Sequence, residues 1–218
     1  MLMKYKRLLM GLLFSSFSFS GYCGDVVSDV PDEPDKSAKF TFYLHGSAEE
    51  SDGASEKYEM AVEAVASGSD IVISEVRGDT DPNQYAQKLN KQVNTLLSKG
   101  VPAKNITISG FSKGAIITLA AAGIINNSDI NYALLAGCSE DLNDKYSVNP
   151  NIAVGRMLSI YDSEDEKFGS CDGVIKVSDK LKFEEVELDS GKGHKVFRIP
   201  KEKFIEQWRD PLLEWMDN

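Results

Sequence analysis

Apolar residues in this chain recur with two alternating periods. Short runs rich in β-branched and aromatic residues occur at 39–44 (K-F-T-F-Y-L), 70–76, 105–109, 131–136, 156–161 and 183–188, and each reads as a strand. Between them lie stretches with helical spacing. Residues 54–66 carry Tyr58, Ala61, Val62 and Val65 at i, i+3, i+4 and i+7, and Pro82–Ser98 carries Tyr85, Leu89, Val93, Leu96 and Leu97 on one face. Residues 115–122 are apolar all the way round, which predicts a buried helix. A terminal helix carries Phe204, Ile205 and Trp208, and Asp210-Pro211 is expected to restart it with Leu212, Trp215 and Met216 inward. Strand and helix in alternation predict an α/β fold: a doubly wound, mostly parallel six-stranded sheet with helices on both faces.

One junction breaks the regularity. Between the strand 105–109 and the helix 115–122 stands Gly110-Phe111-Ser112-Lys113-Gly114, a G-x-S-x-G between a strand and a helix. In that context the motif describes a nucleophile elbow, a strained turn that projects the serine hydroxyl above the sheet. Gly110 and Gly114 have no side chains where strand and helix approach, and the start of the helix points free N–H groups at a developing oxyanion. A G-x-S-x-G arises by chance often enough that its weight comes from what accompanies it.

The ends of the chain add a compartment. Lys4, Lys6 and Arg7 precede an apolar run over 8–19 that is too short to span a bilayer, so residues 1–23 read as a secretory signal. Lipidation at Cys23 is the weaker alternative, because Tyr22 suits a small-residue processing site poorly. Residues 24–38 are acidic, contain proline and read as a tether, leaving 39–218 as one domain. Removing the three cations of the leader takes the net charge from −10 to −13. That acidity argues against nucleic acid and anionic membrane as partners.

Chemistry-bearing residues gather at the C-terminal ends of the expected strands. His45-Gly46-Ser47 ends the first and Ser112 the third, while Asp162-Ser163-Glu164-Asp165 follows the fifth and Gly191-Lys192-Gly193-His194 the sixth. In an open parallel sheet those ends face the ligand crevice, and the order Ser, Asp, His is the one this architecture uses. With the H-G, the G-x-S-x-G, the acid loop and the G-x-G-H, the chain resembles the α/β-hydrolase superfamily, above all its small cap-less bacterial members of the dienelactone hydrolase or carboxylesterase kind. It lacks the two leading antiparallel strands of the full family fold.

The resemblance implies a division of labour. Ser112 is the nucleophile and His194 its base, and the family spacing L-x-I-x-G-x-x-D puts the acid at Asp165, with Asp162 as the alternative. The N–H groups of Ser47 and Lys113 are the expected oxyanion donors, and His45 is structural. Lys195 departs from the glycine or apolar residue that relatives often have beside the base. Cys138 and Cys171 fall on adjacent strands of the expected sheet, so an exported chain should bridge them, with a reduced buried pair as the alternative. The expected activity is cleavage of a small acyl ester or thioester, with a small-molecule acyl substrate and neither cofactor nor metal. A secreted binding protein that keeps the scaffold without turnover is the competing reading.

Overall fold

The computed structural model describes residues 24–217, and the expected leader 1–23, with Cys23, lies outside them. One sheet holds seven strands: β1 Asp25–Val27, β2 Phe40–Leu44, β3 Ile71–Ile73, β4 Ile106–Phe111, β5 Asn131–Leu135, β6 Gly155–Asp162 and β7 Leu181–Leu188. Their order is β1-β3-β2-β4-β5-β6-β7, and every pairing is parallel. The helices are α1 Ala48–Asp52, α2 Glu56–Ala66, α3 Pro82–Ser98, α4 Lys113–Ile125, α5 Glu140–Lys145 and α6 Glu202–Asp217. Strands β2, β4 and β5 are buried at every position, as parallel strands covered on both faces must be. On one face α3 and α4 pack Leu89, Val93, Ile116 and Leu119 against Phe40 and Ile108. On the other, α2 and α6 pack Val65, Trp208 and Leu212 against Tyr43 and Leu158.

The sheet has one strand more than expected, and it comes from the segment read as a tether. Asp25 N–H donates to Asp70 O at 2.9 Å, Ser74 N–H donates to Val27 O at 2.9 Å, and Asn105 holds Ser37 O from its side chain. Parallel pairing uses backbone groups alone, so a three-residue edge strand with Val26 exposed leaves no periodic trace in the sequence. A second difference lies at Pro211, where α6 runs straight through instead of restarting. Phe204, Trp208, Leu212 and Trp215 form one buried stripe across the proline. At about 1.5–3 kcal/mol per buried side chain the stripe outweighs the roughly 3 kcal/mol that an interior proline costs.

Strand β2 lies between β3 and β4, so the chain winds to one side after β2 and to the other before β4. The crevice at this reversal lies between His45-Gly46-Ser47, after β2, and Ser112, after β4. Strand β3 is also shorter than the expected 70–76, and the freed residues form a loop that carries Arg77 and Asp79 toward the crevice side.

Cys138 and Cys171 are joined by a disulfide that closes a separation of 33 residues, with Cα atoms 5.1 Å apart. The bridge ties the exit of β5 to the loop after β6. Reduction, or the paired Cys138→Ser and Cys171→Ser change, should cost about 3–4 kcal/mol of stability in the chain-entropy model and speed hydrogen exchange in residues 163–170. Melting curves with and without reductant check this; coincident curves would mean that the bridge does not constrain the unfolded chain.

Candidate active site

Ser112 follows β4 as the N-cap of α4 with φ 56° and ψ −119°, a conformation that non-glycine residues rarely hold. Close approach on both sides enforces it. A Cβ added to Gly114 would lie 2.0 Å from Leu44 O, and one on Gly110 2.3 Å from the Gly114 carbonyl carbon. The elbow is thus wedged between its own helix and the end of β2, while Ser112 N–H donates to Leu135 O at 3.0 Å.

From this turn the hydroxyl meets an imidazole. Ser112 Oγ is 3.0 Å from His194 Nε2, and His194 Nδ1 is 2.7 Å from Asp165 Oδ2. Asp165 is buried, and its other oxygen accepts from the N–H groups of Lys167 and Phe168 at 3.2 and 3.0 Å. Burial pushes the Asp165 carboxyl up, but the bonds from His194 and the loop amides outweigh it and hold the group below the usual carboxylate range. An ionised carboxylate only accepts, so Nδ1 carries a proton, and in the neutral ring Nε2 turns its lone pair to the hydroxyl. The ring lies between Phe168, stacked at 4.5 Å, and Phe111, tilted at 4.8 Å.

Asp162, the alternative acid, makes other contacts. It is fully buried, accepts from Glu164 N–H at 3.2 Å and Gly193 N–H at 2.9 Å, and takes both the N–H and the hydroxyl of Ser190. Burial raises its pKa, but these four donors lower it by more, leaving it depressed. Asp162 therefore ties the end of β6 to the turn that delivers His194. Gly193 sits at φ 55°, and a Cβ there would lie 2.8 Å from Glu164 O, so the two loops meet backbone to backbone. Residues 164–167 and 191–195 border an open cleft of about 450 Å³ beside His194.

The Gly46-Ser47 segment passes over the elbow. A Cβ on Gly46 would lie 3.2 Å from the Phe111 ring and 3.4 Å from Ser112 Cβ. Lys113 is the first residue of α4, so its N–H has no carbonyl to reach within the helix. Ser47 is the N-cap of α1. His45 is buried behind this segment. Its Nε2 accepts from Arg77 N–H at 2.9 Å, which leaves the proton on Nδ1, 2.7 Å from Gly46 O. Burial first, then the Arg77 charge, lower the His45 pKa to about 4.

Comparison with known proteins identifies the family and the fold. The Phospholipase/Carboxylesterase family model matches residues 72–203, more than half of the chain. The chain belongs to that family. It is thereby an α/β-hydrolase, and the family supports hydrolase activity on esters. No curated protein matches it in sequence. Several solved structures share the fold. Est1E from Butyrivibrio proteoclasticus, solved with ferulic acid bound, is 14% identical with a TM-score of 0.53, over 87% of this chain and 94% of its own. RedJ, a thioesterase of prodiginine biosynthesis in Streptomyces coelicolor, is 9% identical with a TM-score of 0.53, over 87% and 95%. XC6422 from Xanthomonas campestris, an α/β serine hydrolase without a lid, is 18% identical with a TM-score of 0.53, over 87% and 86%.

In this member of the phospholipase/carboxylesterase family, sequence reasoning missed the groups that hold the site together. Asp162 was legible only as a competitor of Asp165. Arg77, Arg198 and the adjacent Glu49 and Glu50 gave no signal beyond their charge. Among the described residues no cluster of His, Cys, Asp or Glu could hold a metal ion, and no helix is long and apolar enough to cross a membrane.

His45 makes stability depend on pH. Its folded pKa, about 4, lies below the 6.5 of an ordinary imidazole, so the unfolded chain binds the extra proton first. The neutral ring's contribution is complete above pH 6.5 and is lost as pH falls from there toward 4. Denaturation midpoints measured across that window should decline in the wild type and decline less in a folded His45→Gln variant; parallel curves would count against a buried neutral His45.

Proposed function

We propose that this chain is an exported serine hydrolase that cleaves a small acyl ester or thioester through an acyl-enzyme. The observation that carries the reading is the hydrogen-bonded chain Ser112–His194–Asp165, with an acceptor lone pair on Nε2 facing the hydroxyl. His194 takes the Ser112 proton as Oγ attacks the acyl carbon, and Asp165 holds the imidazole in the required tautomer and stabilises its charged form. The oxyanion forms against the N–H groups of Lys113 and Ser47, at the start of α4 and beside the elbow. His194 then returns the proton to the leaving alcohol or thiol, and a water activated the same way releases the acid. A thioester is kept in the substrate class because a structural relative, RedJ, is a thioesterase. The Cys138–Cys171 bridge, together with the basic and apolar leader in the sequence, supports an oxidising, exported setting.

A fluorophosphonate should label Ser112 and no other serine in purified protein. Ser112→Ala should abolish labelling and lower ester turnover by on the order of 10³-fold or more, and His194→Ala by about as much, since the two act as a unit. Asp165→Asn should cost on the order of 10³–10⁴-fold by favouring the wrong tautomer. Asp162→Asn should cost less in rate and more in stability. A reversed ranking would make Asp162 the acid, and folded wild type that neither labels nor hydrolyses short-chain esters would favour the non-catalytic scaffold.

A further inference from the structure

Helix α1 is a single turn of five residues, too short to hold its own conformation, and its N-cap Ser47 makes no side-chain capping bond. Yet it follows directly on the segment that passes over Ser112, where a misplacement of about 1 Å is enough to cost rate. Two glutamates, adjacent in sequence, anchor it. The Glu49 and Glu50 side chains are only 4% and 6% exposed, and each enters a different ion pair.

Glu50 reaches the elbow. Its Oε2 accepts from Lys113 Nζ at 2.8 Å, and its Oε1 lies 3.2 Å from Arg77 Nε. Arg77 in turn holds the end of β2, since its backbone N–H donates to His45 Nε2 and its guanidinium to His45 O. Glu49 reaches the other way and accepts from Arg198 Nη2 at 2.7 Å. Arg198 lies four residues after His194, in the same 3-10 segment. One turn of helix is thereby fastened to the elbow, to the end of β2 and to the segment of the base.

Buried ion pairs stabilise a fold no better than well-packed apolar residues would, and their best-attested use is to fix register. Here the geometry concerns two donors on separate elements. Lys113 N–H belongs to α4 and Ser47 N–H to α1, and an oxyanion is stabilised only where both stand about 2.7–3.1 Å from it. The Lys113–Glu50 pair spans those two elements. We propose that Glu49 and Glu50 are positioning residues that set Ser47 N–H against Lys113 N–H to form the oxyanion hole. The inference rests on the serine-hydrolase reading above. Lys113 has a second partner, Asp79 at 2.8 Å, but the Asp79 side chain is 92% exposed and solvent screens the pair, so it fixes little.

The test compares an ester with its thionoester, whose sulfur accepts hydrogen bonds weakly and so draws less from the hole. In Glu50→Gln and Lys113→Met, kcat on the ester should fall by about tenfold or more with KM within about threefold, and the thionoester rate should fall far less, so that the ratio of the two contracts. Lys113→Arg, which keeps a cation for Glu50, should restore most of the ratio. Asp79→Asn should leave it unchanged. Arg198→Gln removes a partly exposed partner and should contract the ratio in the same direction; it carries the test if Glu50→Gln does not fold. Unchanged ratios in folded Glu50→Gln and Arg198→Gln would overturn the proposal, and so would equal losses on both substrates that track a lowered melting temperature. Wild type that neither labels nor hydrolyses would instead remove the reading beneath it, and this appears before any variant is made.

Discussion

The whole site depends on one backbone conformation, that of Ser112 at φ 56° and ψ −119°. Such a residue is strained by roughly 1–3 kcal/mol and persists only where its surroundings over-determine it. Two constraints do so. The absence of side chains at Gly110 and Gly114 lets α4 start against the end of β2, and the burial of α4 from Lys113 to Ala122 keeps the helix from sliding away. Because β2 and β4 are neighbours at the reversal of the sheet, the same close approach that strains the serine brings the Gly46-Ser47 segment beside it. The elbow and its partner loop are two results of one packing contact.

The acid side of the site divides labour between two aspartates three residues apart. Both are buried and both have depressed pKa values, so charge state alone does not distinguish them. Geometry does. Asp165 turns one oxygen to His194 and spends the other on its own loop, whereas Asp162 spends all its lone pairs on backbone and Ser190 donors. Asp162 is a joint between two loops, and the imidazole stands on it.

What the sequence made legible follows from what leaves a periodic or chemical mark. Strands β2, β4 and β5, covered on both faces, appear as short runs with few polar residues and no charged ones, and α3 shows its stripe from Tyr85 to Leu96. The glycine-bounded serine and the glycine-rich approach to His194 are marked because close backbone contacts at Gly110, Gly114 and Gly193 exclude other residues and Gly191 holds a φ of 64°. Strand β1 was invisible because its hydrogen bonds are main-chain and only Val27 of its three side chains packs on the core, too little to set a period. Pro211 misled because a proline argues locally for a break, while the buried stripe from Phe204 to Trp215 is a tertiary effect. The fastening of α1 by Arg77, Lys113 and Arg198 was hidden for a similar reason: charged residues are ordinarily solvated, and only the folded chain brings these together from separations of 27 to 149 residues.

The enclosure of His45 decides how the molecule can be watched. The chain has two histidines. One of them is enclosed, with both ring nitrogens engaged by the backbone of Gly46 and Arg77, while the other keeps a third of its side chain open to solvent between two phenyl rings. In the folded protein, then, an imidazole reagent added from outside has a single accessible target. Any resonance or absorbance that answers to such a reagent reports on His194 alone, so the chain carries a built-in, singly addressed probe at the centre of its candidate site.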